Sequence, residues 1–349
     1  MQAGPHRIAV FRALQLGDML CSVPALRALR QAWPQAHVVL IGLPWASAFV
    51  ARFSDLVDEL VVFPGARGFP EQPETDAGLP AFLEVMRAQH FDLAIQLHGS
   101  GGIANDLVAQ FGAALNAGFV QPDEQVRDGC FITWPDIAPE PERYLMLVEA
   151  MGLQVSDRNL LMPLDASDRA EACQLSAEMG NDGVPLIIVH AGAQLPSRRW
   201  PIERFAQVAD ALFDTGARIA LTGSAVEAQL VEEVRSRMRR PATNLAGRTS
   251  LGGLAALVER AALTVCNDTG ISHIAAALLA PSVVIAAGSD TRRWAPANHS
   301  LHRVLASYPE CRPCSYAVCP VGHGCALAVT PAEVIAAARQ QLSGVSIAA

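Results

Sequence analysis

The sequence contains no lysine: all 26 basic residues among its 349 positions are arginine. This absence excludes Schiff-base chemistry and every phosphate-binding loop that depends on a lysine. Neither a G-x-G-x-x-G nor a Walker A sequence is present, so the dinucleotide and P-loop sites marked by those motifs are disfavoured. A phosphate clamp in this chain must therefore be built from arginine.

The sequence is also poor in charged and aromatic residues and has no apolar run long enough to span a membrane. Charged residues make up 17% and aromatic residues 6%, and the net charge is −8. A negative net charge argues against a nucleic-acid partner. The stretch Arg7 to Arg12 is too short and too charged for a signal peptide, and Pro281 interrupts the apolar run Ile274 to Gly288. We therefore expect a cytoplasmic protein.

The length and the order of the predicted elements indicate two domains. Buried strands alternate with helices in both halves, which is typical of βαβ units and parallel sheets. The turn cluster Gly180 to Pro185 marks a boundary. We predict an α/β protein with Rossmann-like domains over residues 1–178 and 179–349, their parallel sheets facing an interdomain cleft. Residues 121–142 are predicted to be irregular, and Pro24 is expected near the start of its helix.

The strongest local signal lies between Val265 and Ala287. It predicts a buried strand, a polar turn at Asp268-Thr269-Gly270, a helix of small residues and a second buried strand. Free N–H groups and the positive end of the helix dipole favour an anion at such a turn. With His273 in the first helical turn, this segment predicts a phosphate-binding site.

Two further turns in the second half end a strand and open a helix: Ala191 to Pro201, which contains Gly192, and Gly223-Ser224. In open parallel sheets, ligands bind at the carboxyl ends of the strands. Each glycine alone could be only a turn residue, but their recurrence at successive strand ends favours a binding site.

Arg198 and Arg199 precede Trp200 and a predicted helix. An arginine at this position could hold a diphosphate in a bidentate manner. The alternative is that these arginines stack on Trp200 at the surface.

Gly17-Asp18 follows the first predicted strand. A carboxylate at a helix start is often only an N-cap. The alternative is a general base that takes a proton from an acceptor hydroxyl.

Four of the eight cysteines fall in one short stretch: Cys311, Cys314, Cys319 and Cys325. The irregular spacing leaves three interpretations open, namely structural zinc, packed thiols, or a redox or disulfide role. The other four are expected to be core thiols: Cys21, Cys130, Cys173 and Cys266.

Several segments together resemble glycosyltransferase family 9, the bacterial heptosyltransferases of lipopolysaccharide core assembly. They cover most of the chain and are Leu16 to Leu29, Phe91 to Gly99, Arg198 to Pro201, Gly247 to Leu251, Asn267 to His273 and the late cysteine stretch. The resemblance implies a GT-B fold and inverting, metal-independent transfer of heptose from ADP-heptose to a lipopolysaccharide core or related glycan. It also implies that no cofactor is required.

The resemblance assigns roles to individual residues. Asp18 falls where the catalytic base lies. The predicted donor-binding residues are Gly17, Gly192, Arg198, Glu227 for the ribose, Thr249 near the nucleobase, and Asp268, Thr269, Gly270 and His273. Members usually carry lysine where Arg198 stands, and arginine keeps the charge but changes the geometry.

The implied partners are a nucleotide-sugar donor and a lipid-linked oligosaccharide acceptor. Acceptor contacts are expected from the first half, at His98, Gly99 and Ser100. The enzyme would act at the cytoplasmic face of the inner membrane with peripheral contact at most. Two alternatives stay open: a sugar-nucleotide epimerase of the same fold, and a non-catalytic protein that binds a nucleotide sugar.

Overall fold

A computed structural model describes residues 4–125, 127–180 and 183–345 of the chain. The chain divides into two compact units, Met1–Pro163 and Leu164–Ala349.

The first unit alternates strands with helices along most of its length. Its elements are β1 (Arg7–Phe11), α1 (Leu16–Ala32), β2 (His37–Gly42), α2 (Ala46–Arg52), β3 (Glu59–Val62), α3 (Leu79–Ala88), β4 (Leu93–Gln96), α4 (Ile103–Ala109), β5 (Leu115–Val120), β6 (Cys130–Thr133) and α5 (Glu140–Ala150). Over the described residues the strands form one parallel sheet in the order β3-β2-β1-β4-β5-β6.

The second unit repeats this arrangement. Its elements are α6 (Ala166–Glu178), β7 (Leu186–His190), α7 (Ile202–Phe213), β8 (Arg218–Leu221), α8 (Ala228–Arg237), β9 (Thr243–Asn244), α9 (Leu251–Arg260), β10 (Leu263–Asn267), α10 (Gly270–Ala277), β11 (Ser282–Ala286), α11 (Thr291–Trp294), β12 (His302–Ala306), α12 (Gly324–Leu327) and α13 (Pro331–Val345). Its strands, so far as they are described, form a parallel sheet in the order β12-β11-β10-β7-β8-β9.

The central strands are buried on both faces, which explains their continuous apolar sequences. Every residue of β7, β10 and β11 is buried. Cys266 near the end of β10 pairs with His190 of β7 and with Val284 of β11. The strands therefore end at one edge of the sheet, and the turns that follow them lie side by side. The predicted α/β class with parallel sheets is confirmed.

The boundary between the units differs from the predicted one after residue 178. Helix α6 packs on α9 of the second unit. Arg169 of α6 pairs with Glu259 of α9 at 3.0 Å, and Ser250 Oγ donates to Glu171 at 2.6 Å. The turn cluster after α6 therefore separates two elements of one unit.

Other differences have local causes. Strand β6 lies inside the proline-rich stretch predicted to be irregular, and it pairs with β5 from Ala117↔Cys130 to Val120↔Thr133. Pro24 lies in the middle of α1, where it removes one helical hydrogen bond. Ten of the residues of α1 are buried, and their packing stabilises the helix despite the lost hydrogen bond. Over the described residues no helix is long and apolar enough to cross a membrane.

Candidate functional site

The turns after β7 and β10 are joined by one buried side chain. Asn267, the last residue of β10, is fully buried. Its Oδ1 accepts from the Trp200 N–H at 2.9 Å, and its Nδ2 donates to the Ala191 carbonyl at 2.8 Å. Asn267 therefore fixes the turn that carries Gly192 to the turn that carries Asp268. Sequence reasoning missed this role, because the partners are far apart in the chain.

Glu227 and Gly192 lie against each other at neighbouring strand ends. The Ser224 N–H and hydroxyl donate to Glu227 Oε2 at 2.9 and 2.8 Å. A Cβ at residue 192 would lie 2.1 Å from Glu227 Oε1, so an added side chain there would displace the carboxylate. The structure thus brings together two predicted donor-binding residues and leaves the carboxylate partly exposed.

A buried histidine lies beneath this carboxylate. His190 Nδ1 lies 3.0 Å from Thr222 Oγ1. Burial lowers the pKa of His190, although the nearby Glu227 carboxylate acts in the opposite direction. Burial thus favours the neutral form of the imidazole over the charged form.

Thr249 lies in the loop that follows β9. Two residues earlier, the Gly247 N–H donates to the Gly223 carbonyl at 2.9 Å. The loop therefore packs on the turn after β8, which positions half-buried Thr249 near the Gly223 end of the edge.

The first turn of α10 presents the predicted anion site. Its N-cap, Thr269, has an extended backbone and makes no side-chain capping bond within the described chain. The Ser289 hydroxyl donates to Asp268 Oδ2 at 2.5 Å. His273 is buried and packs edge-on against Trp294, with ring centroids 6.1 Å apart. The helix start therefore retains N–H groups for an anion, next to a fixed carboxylate.

Arg198 lies over the turn that follows β11. Its Nη1 donates to the Ala287 carbonyl at 3.2 Å, and its Nη2 donates to the Cys314 carbonyl. A Cβ at residue 288 would lie 2.1 Å from Nη1, and Gly288 has φ +72°. The guanidinium is thus held at the strand ends by backbone carbonyls.

The alternative of surface arginines stacked on Trp200 is wrong. Trp200 is buried, and its Nε1 donates to the Val329 carbonyl at 3.0 Å. Arg199 instead donates through Nε to the Ala193 carbonyl at 2.8 Å.

Arg312 is a second cation in this region that sequence reasoning missed. Its side chain is largely buried, and its Nε and Nη1 donate to the Ser289 and Ser307 carbonyls at 2.8 and 2.7 Å. Burial lowers the pKa of Arg312, and both Asp268 and Arg198 are close enough to act on it electrostatically. No motif marks Arg312, because it lies within the cysteine-rich stretch.

That cysteine-rich stretch ties two turns of the site together. The Cys314 N–H donates to the Gly288 carbonyl at 2.9 Å, and the Ser197 N–H donates to the Ala317 carbonyl at 3.0 Å. His323 Nε2 lies 2.9 Å from the Ser197 carbonyl. The segment therefore supports both Arg198 and the turn after β11.

The cysteines themselves do not gather into a ligand set. Cys311 is exposed, Cys314 and Cys319 are half-buried, and Cys325 is buried. Among the described residues there is no group of three or more His, Cys, Asp or Glu side chains able to hold a metal. Structural zinc thus stays a prediction that metal analysis would test.

The scattered cysteines follow the prediction only in part. Cys21 and Cys266 are buried, and Cys130 is half-buried. The prediction is wrong for Cys173, which is exposed and accepts from Arg260 Nη1 at 3.3 Å.

In the first unit, Gly17 and Asp18 lie in the first turn of α1. The N-cap of this helix is Gln15, so the N-cap interpretation of Asp18 is wrong. The Asp18 side chain is partly exposed, and its Oδ1 lies 3.9 Å from Arg12 Nη2. Gly17 therefore lies in the first unit, whereas the other predicted donor-binding residues lie in the second.

Arg12 holds this turn from inside the unit. It is fully buried, and its Nε and Nη2 donate to the Asp18 carbonyl at 2.9 and 2.6 Å. Its Nη1 donates to the Leu97 carbonyl and, at 2.7 Å, to Tyr144 Oη. Tyr144 in turn donates to the buried Glu140 carboxylate. Asp18 is thus positioned by a buried cation whose charge stabilises the carboxylate.

His98, one of the predicted acceptor contacts, lies at the same end of the sheet. The Ala13 N–H donates to His98 Nδ1 at 3.2 Å, and His98 Nε2 lies 3.7 Å from Glu71 Oε2. Burial opposes the charge of Glu71, but the hydrogen bond and charge of His98 together with a backbone hydrogen bond outweigh burial and lower the pKa of the carboxyl group. Gly99 and Ser100 follow in a half-buried loop.

The two parallel sheets with polar turns at their strand ends have the two-unit α/β architecture of the GT-B fold. The model of glycosyltransferase family 9 (heptosyltransferase) matches residues 81–324. The chain therefore belongs to glycosyltransferase family 9.

Individual relatives agree with this assignment. Lipopolysaccharide heptosyltransferase 2 of Escherichia coli K12 is 27% identical over 331 residues, covering 88% of this chain and 90% of the relative. A solved family 9 glycosyl transferase from Veillonella parvula DSM 2008 superposes with a TM-score of 0.80 at 23% identity, covering 99% of both chains. The E. coli ADP-heptose lps heptosyltransferase II has a TM-score of 0.73 at 22% identity, with 97% and 99% covered.

Proposed function

We propose that this glycosyltransferase moves a heptose from ADP-heptose to a lipopolysaccharide core or related glycan, with inversion at the anomeric carbon and without a metal. The names of the E. coli relatives support the choice of donor and acceptor. The acceptor would be lipid-linked, so the enzyme would work at the cytoplasmic face of the inner membrane through peripheral contact.

The observation that carries the proposal is the row of turns along one edge of the second sheet. Glu227 follows β8, Gly192 follows β7, and Asp268 follows β10, in the spatial order of the strands. A nucleotide laid along this edge would place its ribose hydroxyls at Glu227 and its diphosphate at the start of α10. Thr249 lies on the side where the nucleobase would be.

The diphosphate is the leaving group, and its charge grows in the transition state. The N–H groups at Thr269–Gly270 and the cation of Arg198 would stabilise that charge. Because the Ser289 hydroxyl holds Asp268, the Asp268 carboxylate would accept from a sugar hydroxyl rather than compete with the diphosphate for the N–H groups of α10.

The proposed chemistry is a single displacement. An acceptor hydroxyl oxygen forms a bond to the anomeric carbon while the bond from that carbon to the diphosphate oxygen breaks. The hydroxyl proton passes to the Asp18 carboxylate, and ADP leaves. Arg12 fixes the backbone of Asp18, so the base is presented from a rigid turn.

An Asp18→Asn variant tests this assignment. General-base catalysis is worth roughly 10²–10⁴-fold, so kcat should fall by about that factor. Isothermal titration calorimetry should show nearly unchanged affinity for ADP-heptose, because the predicted donor-binding residues other than Gly17 lie in the other unit. Transfer at the wild-type rate would contradict the role of Asp18.

Assays of the wild-type protein separate the two alternatives. If the protein were a non-catalytic binder, it would bind ADP-heptose but transfer no sugar to any acceptor. An epimerase would isomerise ADP-heptose without an acceptor, which NMR of the donor alone would detect. The proposal expects neither result.

A further inference from the structure

The turn after β11, residues 287–289, is held through its three backbone carbonyls. The first carbonyl accepts from Arg198 Nη1 at 3.2 Å, and the second accepts from the Cys314 N–H at 2.9 Å. The third carbonyl, that of Ser289, accepts from Arg312 Nε at 2.8 Å. Arg312 therefore fixes the end of the turn at which Ser289 lies.

Ser289 connects this turn to the carboxylate of Asp268. The Ser289 hydroxyl donates to Asp268 Oδ2 at 2.5 Å. Ser289 is buried, whereas Asp268 is half-buried. Oδ2 is thus held from the protein side, and Oδ1 is left for a ligand hydroxyl. Two hydrogen bonds, both made by Ser289, link the Arg312 guanidinium to a carboxylate of the donor site.

The burial of Arg312 is unfavourable for stability. The residue is 8% exposed, and its guanidinium lies 4.3 Å from the centre of the Tyr308 ring. Nε and Nη1 have carbonyl acceptors, but Nη2 is buried and has no acceptor among the described residues. A buried charged group with an unsatisfied donor destabilises the folded state, and such departures are expected at functional sites. The position of Arg312 therefore calls for a functional explanation.

A second arginine of the same unit, Arg204, makes similar contacts away from Asp268. Its Nη1 donates to the Leu327 and Val329 carbonyls at 2.7 and 2.6 Å, and its guanidinium lies 5.9 Å from the centre of the Trp200 ring. No hydrogen bond within the described chain joins Arg204 to Asp268 or to the turn after β11. Arg204 therefore provides a comparison for an arginine that only supports the structure.

We propose that Arg312 is a positioning residue for the sugar of the donor. Through Ser289 it holds Asp268 where the free carboxylate oxygen can accept from a sugar hydroxyl. This inference rests on the proposed function, which places the sugar at Asp268 and the diphosphate at Arg198. The two arginines then have separate tasks, since Arg198 stabilises the diphosphate and Arg312 acts on the sugar. Loss of Arg312 should therefore weaken binding of the nucleotide sugar and spare the nucleotide.

Calorimetry with ADP and with ADP-heptose tests this separation. The readout is the Kd for ADP divided by the Kd for ADP-heptose, because general damage to the unit affects both ligands and leaves the ratio unchanged. Arg312→Met removes the charge and both carbonyl bonds but keeps a long side chain. Arg204→Met is the matched control, because it also removes two carbonyl bonds and a contact with an aromatic ring.

We expect Arg312→Met to raise the Kd for ADP-heptose about tenfold and the Kd for ADP less than about twofold, and Arg204→Met to leave the ratio unchanged. Should Arg312→Met fail to fold, Arg312→Lys takes its place, because lysine keeps the charge and can donate to one of the two carbonyls. Its ratio should fall at least about threefold.

A double-mutant cycle with Ser289→Ala tests the route through Ser289. Ser289→Ala alone should lower the ratio at least about fivefold, and adding Arg312→Met should change it by less than about twofold further. Fold-changes that multiply in the cycle, or equal weakening of ADP and ADP-heptose by Arg312→Met, would overturn the proposal. Wild-type protein that fails to bind ADP-heptose would refute the proposed donor and this inference with it. Normal wild-type binding with an unchanged ratio in Arg312→Met would refute the role of Arg312 alone.

Discussion

The hydroxyl of Tyr144 connects two buried charges in the first unit, and removing it should cost measurable stability. It accepts from Arg12 Nη1 at 2.7 Å and donates to the Glu140 carboxylate. Tyr144→Phe removes both bonds and leaves the ring in place. Each hydrogen bond to a charged group is worth about 1.5–3 kcal/mol. Glu140 keeps its 2.9 Å bond from Arg143, and Arg12 keeps the Asp18 and Leu97 carbonyls, so the loss should be partial.

We therefore expect Tyr144→Phe to lower the free energy of unfolding of the first unit by about 2–4 kcal/mol. For a unit of 150–250 residues, roughly 2–4 °C of Tm follow each kcal/mol, so Tm should fall by about 5–15 °C. Scanning calorimetry and urea denaturation would measure the change. Tyr316→Phe is the control, because Tyr316 is about half exposed and lies in the other unit.

A double-mutant cycle with Glu140→Gln would show whether the hydroxyl acts through the charged network. The two substitutions share a partner, so a coupling of about 0.5–3 kcal/mol is expected. A loss below about 1 kcal/mol for Tyr144→Phe, or additive effects in the cycle, would refute the network as the support of the Asp18 turn.

Two further predictions concern the second unit. Gly192→Ala places a Cβ 2.1 Å from Glu227 Oε1 and should displace the carboxylate. Calorimetry should therefore show a Kd for ADP-heptose that is higher by about tenfold or more. Gly99→Ala, where a Cβ meets nothing within 4 Å, should bind normally, and equal affinities would contradict the ribose role of Glu227. Burial lowers the pKa of His302 from 6.5 to about 4. Between pH 6.5 and pH 4, His302 is protonated in the unfolded chain but stays neutral in the folded chain. The free energy of unfolding should therefore fall by about 3 kcal/mol as the pH decreases through this range. Stability measured against pH should be flatter in His302→Asn, and an unchanged slope would contradict the buried neutral imidazole.

The strand-end turns of the second unit could be predicted because their signals are local. A buried strand, a short polar turn and a helix of small residues follow one another within the segment Val265 to Ala287, and the structure reproduces that order. Parallel pairing then aligns the turns at one edge, so Gly192 and Glu227 meet.

The supporting residues could not be predicted because their partners are distant in sequence. Asn267 bonds to residues 67 and 76 positions away, and Tyr144 bonds to Arg12 132 positions away. Arg312 could not be predicted as a site residue, because no motif marks it and its carbonyl partners on Ser289 and Ser307 are revealed only by the fold. The boundary was misplaced because a glycine-rich turn ends a helix equally well inside a unit as between units.

The central claim is inverting, metal-independent transfer of heptose from ADP-heptose. It is tested most directly by incubating the wild-type protein with ADP-heptose and a heptose-deficient lipopolysaccharide core in the presence of EDTA. Mass spectrometry and NMR would then identify the product and its anomeric configuration. We predict the addition of heptose, release of ADP, and a configuration opposite to that of the donor. No transfer despite bound donor, a retained configuration, or a requirement for added metal would contradict the account.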